Sequence, residues 1–111
     1  MTFRILVVDD DAALAAELGR ALTRRSHDVV IKTDANEGFE VLASQSIDAV
    51  VTDLNMRGMN GLEFCQRILR NWRDLPVIVI TAFANLETAV ATLRAGAFDF
   101  IAKPFTPTQL E

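Results

Sequence analysis

Apolar and polar positions fall into two kinds of block that alternate along the chain. Short, nearly continuous apolar runs rich in β-branched residues occupy 5–8, 29–31, 47–51, 77–80 and 98–101. Because they do not alternate with polar residues, they read as strands covered on both faces. Between them lie longer stretches with helical periodicity. Leu14, Leu18 and Leu22 recur every four residues and define one face of a first helix. Phe39 and Leu42 do the same in a second, which opens with Asp34 and has Glu37 three residues on, a capping-box arrangement. Asn60 and Glu63 repeat that arrangement ahead of Leu62, Cys65 and Leu69. In a fourth helix Leu86, Ala89, Val90 and Leu93 form the expected core stripe, leaving Thr88, Ala91, Thr92 and Ala95 outward; Gly96 ends it. Thr106 as a cap and Pro107 in the first turn announce a fifth helix, which the chain's last residues leave truncated.

Five β–α units in this order predict an α/β fold, with a parallel sheet, helices on both faces and right-handed crossovers. In such doubly wound sheets, ligands bind beyond the carboxyl ends of the strands. That rule gathers residues far apart in the chain. Asp9, Asp10 and Asp11 follow the first strand, Asp53 the third, Thr81 the fourth and Lys103 the fifth. All should meet at one edge of the sheet.

Composition narrows the setting. At 111 residues the chain supports one domain with a real core. A formal charge of −4 argues against direct contact with a nucleic-acid backbone. A single cysteine, Cys65, cannot form an internal disulfide, which fits a reducing compartment; its position on the apolar stripe of the third helix points to core packing. No apolar run approaches the roughly 20 residues of a membrane span. The expected location is cytoplasmic.

Crowded carboxylates repel one another, so the adjacent Asp9, Asp10 and Asp11 need something that offsets the repulsion. Carboxylates with a carbonyl and waters suit a hard cation, and Mg²⁺ takes few protein ligands while keeping water. Asp53, alone on its strand end, can act as a nucleophile toward phosphorus. Phosphoryl transfer asks mainly for positioning and charge neutralisation, which Mg²⁺, the Lys103 ammonium and the Thr81 hydroxyl can supply. With His27 as the single histidine, no hydrolytic triad is available.

These pieces carry a family resemblance. "ILVVDDD", "AVVTDLNMRGMNGLE", "LPVIVITAF" and "AGAFDFIAKPF", in this order and spacing, make the whole chain resemble the receiver domains of two-component response regulators. The resemblance implies a flavodoxin-like strand order 2-1-3-4-5. It implies that Asp9 and Asp10 are the acidic pair, Asp53 the phosphoacceptor, the Asn55 main-chain carbonyl a metal ligand and Lys103 the phosphate-binding lysine. Thr81 would be the switch hydroxyl and Phe100 the switch aromatic. The implied partners are a histidine kinase or phosphotransfer protein, a downstream output domain and a second copy in a phosphorylation-dependent homodimer. The segment "ETAVATLRAGAFDFIAKPF" looks most like receivers attached to enhancer-binding transcriptional activators, whose output includes an ATPase and a DNA-binding domain. Residues 1–111 would then be the N-terminal part of a longer protein. Such a domain is a phosphorylation-activated switch and not an enzyme, catalysing only its own phosphoryl transfer and dephosphorylation. Two positions depart from the family's habit: Arg57 stands where proline is common, and Phe100 where tyrosine is common.

Other readings of the same residues compete. Asp9–Asp10–Asp11 also fits the "DxD" opening of haloacid-dehalogenase-like phosphatases, which would make Asp9 the nucleophile. Against it, that family's later metal-binding acids follow its lysine, whereas Asp53 precedes Thr81. A single-domain phosphorelay receiver with no attached output is a further alternative. Asp11, taken alone, reads as a solvated loop acid, and His27 as a surface residue in a turn. Trp72 and Arg73 should close the third helix and shield the core edge. Phe83 should overhang the site and hinder an attacking water.

Overall fold

Burial on two sides is what the continuous apolar runs demand, and the chain supplies it. The computed structural model describes residues 3–54, 61–81 and 86–102. Among them the order is β1 (Arg4–Val8), α1 (Ala12–Arg24), β2 (Asp28–Lys32), α2 (Ala35–Ser44) and β3 (Ala49–Asp53), followed by α3 (Gly61–Asn71), β4 (Val77–Thr81), α4 (Leu86–Arg94) and β5 (Asp99–Ala102). The strands form one parallel sheet in the order β2-β1-β3-β4-β5. Strand order reverses between β1 and β3, the place where such sheets open a crevice.

Alternate residues of each inner strand feed two separate cores. Leu6 and Val8 of β1, Val50 of β3, and Val77 and Val79 of β4 pack with Val41 and Leu42 of α2 and Phe64, Cys65 and Ile68 of α3. Ile5, Val7, Val51, Ile78 and Ile80 turn the other way, onto Ala15, Leu18 and Leu22 of α1. Each fully buried side chain of this size contributes about 1.5–3 kcal/mol. The edge strand β2 is less covered, and Ile31 there stays exposed.

Helix ends follow local chemistry. The Asp34 carboxylate accepts from the Asn36 N–H at 2.7 Å and caps α2. Gly96 has φ +103° beyond the end of α4, a conformation that suits glycine. Trp72, just past α3, is half-buried against the larger core, while Arg73 is exposed.

Three expectations need correction. Val90 and Leu93 are 38% and 47% exposed, whereas Thr92 is fully buried. Helix α4 is therefore turned so that Thr92, and not Val90 or Leu93, faces inward; the side chains of Leu86, Thr88 and Ala89 lie outside the described residues. Among the described residues no buried side-chain polar atom lacks a partner, so burying the Thr92 hydroxyl carries little penalty. His27 is buried, not on the surface: its Nδ1 accepts from the Phe3 N–H at 3.3 Å and its ring stacks on Phe3. Phe98 precedes β5 and is 72% exposed, although its N–H still donates to the Val77 carbonyl. Asp11 is exposed, as a solvated acid would be, but it also caps α1. The positions of Asn60, Thr106 and Pro107 lie outside the described residues. Among those described, no helix is long and apolar enough to cross a membrane.

Candidate functional site

Strand register sets the site. Val8 pairs with Thr52, Asp53 with Ile80, and Thr81 with Ala102, so the carboxyl ends of β1, β3, β4 and β5 align. The residues that follow or end these strands share that edge.

Asp9 leaves β1 with its N–H still donating to the Lys32 carbonyl at 3.2 Å. It is 1% exposed, and its Oδ1 accepts from the Asp11 N–H at 2.9 Å. Asp11 in turn accepts at Oδ1 from the Leu14 N–H at 3.1 Å, opening α1. Asp53, the last residue of β3, is 8% exposed. Ligand oxygens of Asp9, Asp10 and Asp53 all lie within 4.8 Å of one another, with Asp10 the most accessible of the three. Two buried carboxylates and a third beside them form an all-oxygen donor set of high negative charge. That chemistry fits a hard divalent cation.

The chain beyond Asp53 is anchored from two sides. The Leu54 N–H donates to the Ile80 carbonyl at 3.0 Å, and the Gly61 N–H to the Leu54 carbonyl at 2.7 Å. A Cβ at Gly61 would run into the Asp53 carbonyl oxygen and lie 2.7 Å from the Leu54 Cα. Only glycine lets the start of α3 approach the backbone of Asp53 so closely. Sequence reasoning missed this residue. Its available signal was a glycine at a helix start, where a better helix former would be expected.

The acid triad of Asp9, Asp10 and Asp53 is thus brought together. Thr81 ends β4 and Phe100 pairs with Val79 in β5, which places their main chains near the same edge. Asn55, Arg57, Phe83 and Lys103 lie outside the described residues; Lys103 follows Ala102, the residue paired with Thr81.

Residues 5–111 match the family model of the response regulator receiver domain. The chain is a response regulator receiver domain. Its relatives include the response regulator MprA of Mycolicibacterium vanbaalenii, 41% identical over 110 residues that cover 99% of this chain and 48% of that protein. The receiver spans about half the length of the curated relatives it matches. Among solved structures, NtrX from Brucella abortus superposes with a TM-score of 0.92 at 32% identity, over 99% of this chain and 25% of that one. A response regulator from Burkholderia pseudomallei, solved with a phosphorylated aspartic acid, a calcium ion and citrate, superposes with a TM-score of 0.91 at 26% identity. That match covers 97% of this receiver and 64% of the other chain. Membership in this family sets aside the haloacid-dehalogenase-like phosphatase, with its nucleophile at Asp9.

Proposed function

We propose that this receiver is a cytoplasmic, phosphorylation-activated switch whose phosphoacceptor is Asp53. The observation that carries the reading is the cluster of Asp53 with Asp9 and Asp10 at the carboxyl edge of the sheet, all ligand oxygens within 4.8 Å. An Asp53 carboxylate oxygen attacks phosphorus as the bond from phosphorus to the imidazole nitrogen of a phosphohistidine breaks. The leaving electron pair stays on that nitrogen. The donor is a histidine kinase or a phosphotransfer protein.

Asp9, Asp10, Asp53 and the Asn55 main-chain carbonyl would hold Mg²⁺. When bound, the ion supplies charge neutralisation for phosphoryl oxygens. The related Burkholderia protein, with its phosphorylated aspartic acid and calcium ion, supports a divalent ion beside the acceptor. The Asp11 N–H holds one Asp9 oxygen in place beside the cluster. Lys103 balances the charge of the transferred group, and the Thr81 hydroxyl donates to one of its oxygens. Withdrawing Thr81 toward the phosphoryl group and turning Phe100 inward would bias the α4–β5 surface between two states.

Phosphorylation at Asp53 would control an output domain in a longer regulator, and the half-length match to MprA supports such a domain. Likeness to both MprA and NtrX favours a transcriptional output. The receiver's own chemistry is limited to accepting and losing the phosphoryl group.

Incubation with acetyl phosphate and Mg²⁺ should add the mass of one phosphate, and Asp53→Asn should abolish the addition. Labelling that persists in Asp53→Asn, or that appears on Asp9, overturns the assignment.

A further inference from the structure

A cationic groove runs along the free flank of the sheet. Among the described residues β2 pairs with β1 alone, so its other side is an open edge. The Asp28 N–H donates to the Phe3 carbonyl, and the Lys32 carbonyl accepts from the Asp9 N–H. Both residues therefore turn main-chain groups toward β1. Successive residues of a strand aim these groups to opposite sides, so those of Val29 and Ile31 face the open edge, where a further strand can pair. Beside that edge α1 and β2 enclose a groove of about 480 Å³. Val29 and Ile31 form its apolar floor, and Ile31 is 38% exposed. A Cβ at Gly19 would lie 2.5 Å from the Ile31 Cδ1, so glycine keeps the flank of α1 clear of that floor. Arg20 and Arg24, both exposed, line the groove with no acidic residue beside them. Among the described residues neither arginine forms an ion pair.

On a chain of formal charge −4, two such cations over an apolar floor are a local exception. We propose that the α1–β2 groove docks an extended acidic segment of a partner protein. The segment adds to the open edge of β2 as a sixth strand and sets two carboxylates, two residues apart, against Arg20 and Arg24. The spacings agree. Four residues of helix advance about 6 Å and two residues of strand about 6.6–6.8 Å, so acids at i and i+2 on one face meet the two arginines in turn. Their aliphatic stems take Ile31 out of water. Main-chain hydrogen bonds to Val29 and Ile31 supply affinity, and the charge pairs supply specificity. An anionic membrane is the weaker match, because two cations on an acidic protein fall short of the basic clusters that hold a lipid surface. The groove is also separate from the acid cluster: α1 leaves that cluster at Asp11 and runs back to Arg24, near the start of β2.

Docking at this edge does not require Asp53 to be the acceptor. The probe is a pentapeptide, Thr-Glu-Val-Glu-Thr, acetylated and amidated at its ends and titrated into the chain under NMR observation. It should shift the amide signals of Val29 and Ile31 and, near saturation, slow their hydrogen exchange at least about threefold. Val30, whose main chain already faces β1, should keep its exchange rate. Arg20→Glu and Arg24→Glu should each weaken binding roughly five- to tenfold, because each turns an attraction into a repulsion. The same peptide with Gln in place of Glu should lose a similar factor on the unaltered chain, a comparison that holds even where a variant fails to fold. Unchanged exchange at Val29 and Ile31 overturns the docking, as does equal affinity for the Glu and Gln peptides. Adsorption to phosphatidylglycerol vesicles without any response to the peptide assigns the arginines to a membrane and overturns it too. None of these failures touches the mass-labelling result on Asp53.

Discussion

The main-chain N–H of Asp11 donates to Oδ1 of Asp9 across 2.9 Å, joining the start of α1 to the acid cluster. Because the donor is backbone, the Asp11 side chain is free for a different task, the cap on the Leu14 N–H. The first helix and the site are therefore set by one short turn.

Replacing that cap separates the two tasks. Asp11→Ala should lower stability by about 1 kcal/mol, the usual cost of losing a carboxylate N-cap. Mg²⁺ affinity should change by less than about threefold, since the N–H to Asp9 survives. Urea denaturation and metal titration check both. A large loss of affinity with the fold intact would place the Asp11 carboxylate among the metal ligands.

Asp10 should act in the opposite direction. It repels Asp9 and Asp53 in the metal-free protein, but it is the most accessible of the three, so water screens much of that repulsion. Asp10→Asn should leave the metal-free protein as stable as the original or more stable by up to about 1 kcal/mol. It should weaken Mg²⁺ binding at least tenfold, an order-of-magnitude loss for one charged ligand. Thermal melts with and without Mg²⁺ provide the comparison, and a destabilised metal-free variant would contradict it.

Gly61 should tolerate nothing larger. Its added Cβ would strike the backbone of Asp53 and Leu54, which cannot rotate away as a side chain tip could. Gly61→Ala should cost on the order of 2 kcal/mol by overpacking. It should also slow phosphorylation of Asp53, measured by mass spectrometry under conditions where the variant remains folded. Unchanged stability would show that α3 can retreat from β3.

Cys65 makes stability sensitive to alkali. Its side chain is fully buried, and burial pushes the thiol up to about 11 from an ordinary value of 9.0. The unfolded thiol ionises first as pH rises, so above pH 9 the unfolded state holds fewer protons than the folded one. Stability is therefore fully present below pH 9 and falls between pH 9 and about 11, at up to about 1.4 kcal/mol per pH unit. Urea midpoints at pH 8.5 and 10.5 should drop less in Cys65→Ala than in the parent (both pH values approximate choices either side of the thiol's ionisation). An equal drop in both would assign the effect to other groups.

Ser26 holds φ +71° in the turn that follows α1, the left-handed region that side chains other than glycine adopt at a cost. Ser26→Gly should therefore stabilise the chain by roughly 0.5–1 kcal/mol, against the added freedom of the unfolded glycine. A lowered melting temperature would mean that the Ser26 side chain makes a contact worth more than the strain.

The amino-acid sequence alone determined the alternation of strands and helices seen among the described residues, because two-sided burial and helical periodicity leave different patterns of apolar residues. It also determined where the chemistry would gather: strand-end acids in a parallel sheet have one edge to occupy, and Asp9, Asp10 and Asp53 do meet there. Local caps such as Asp34 and the stop at Gly96 were legible for the same reason, since their physics spans only a few residues. Tertiary structure alone decided the facing of α4. Apolar residues occur around most of that short helix, so periodicity favoured the larger ones, while packing buried Thr92 and left Val90 and Leu93 outside. The burial of His27 against Phe3 and the need for glycine at position 61 were decided the same way. Both depend on how closely two segments distant in sequence, or two backbones, approach one another, and no pattern within a single segment encodes that distance.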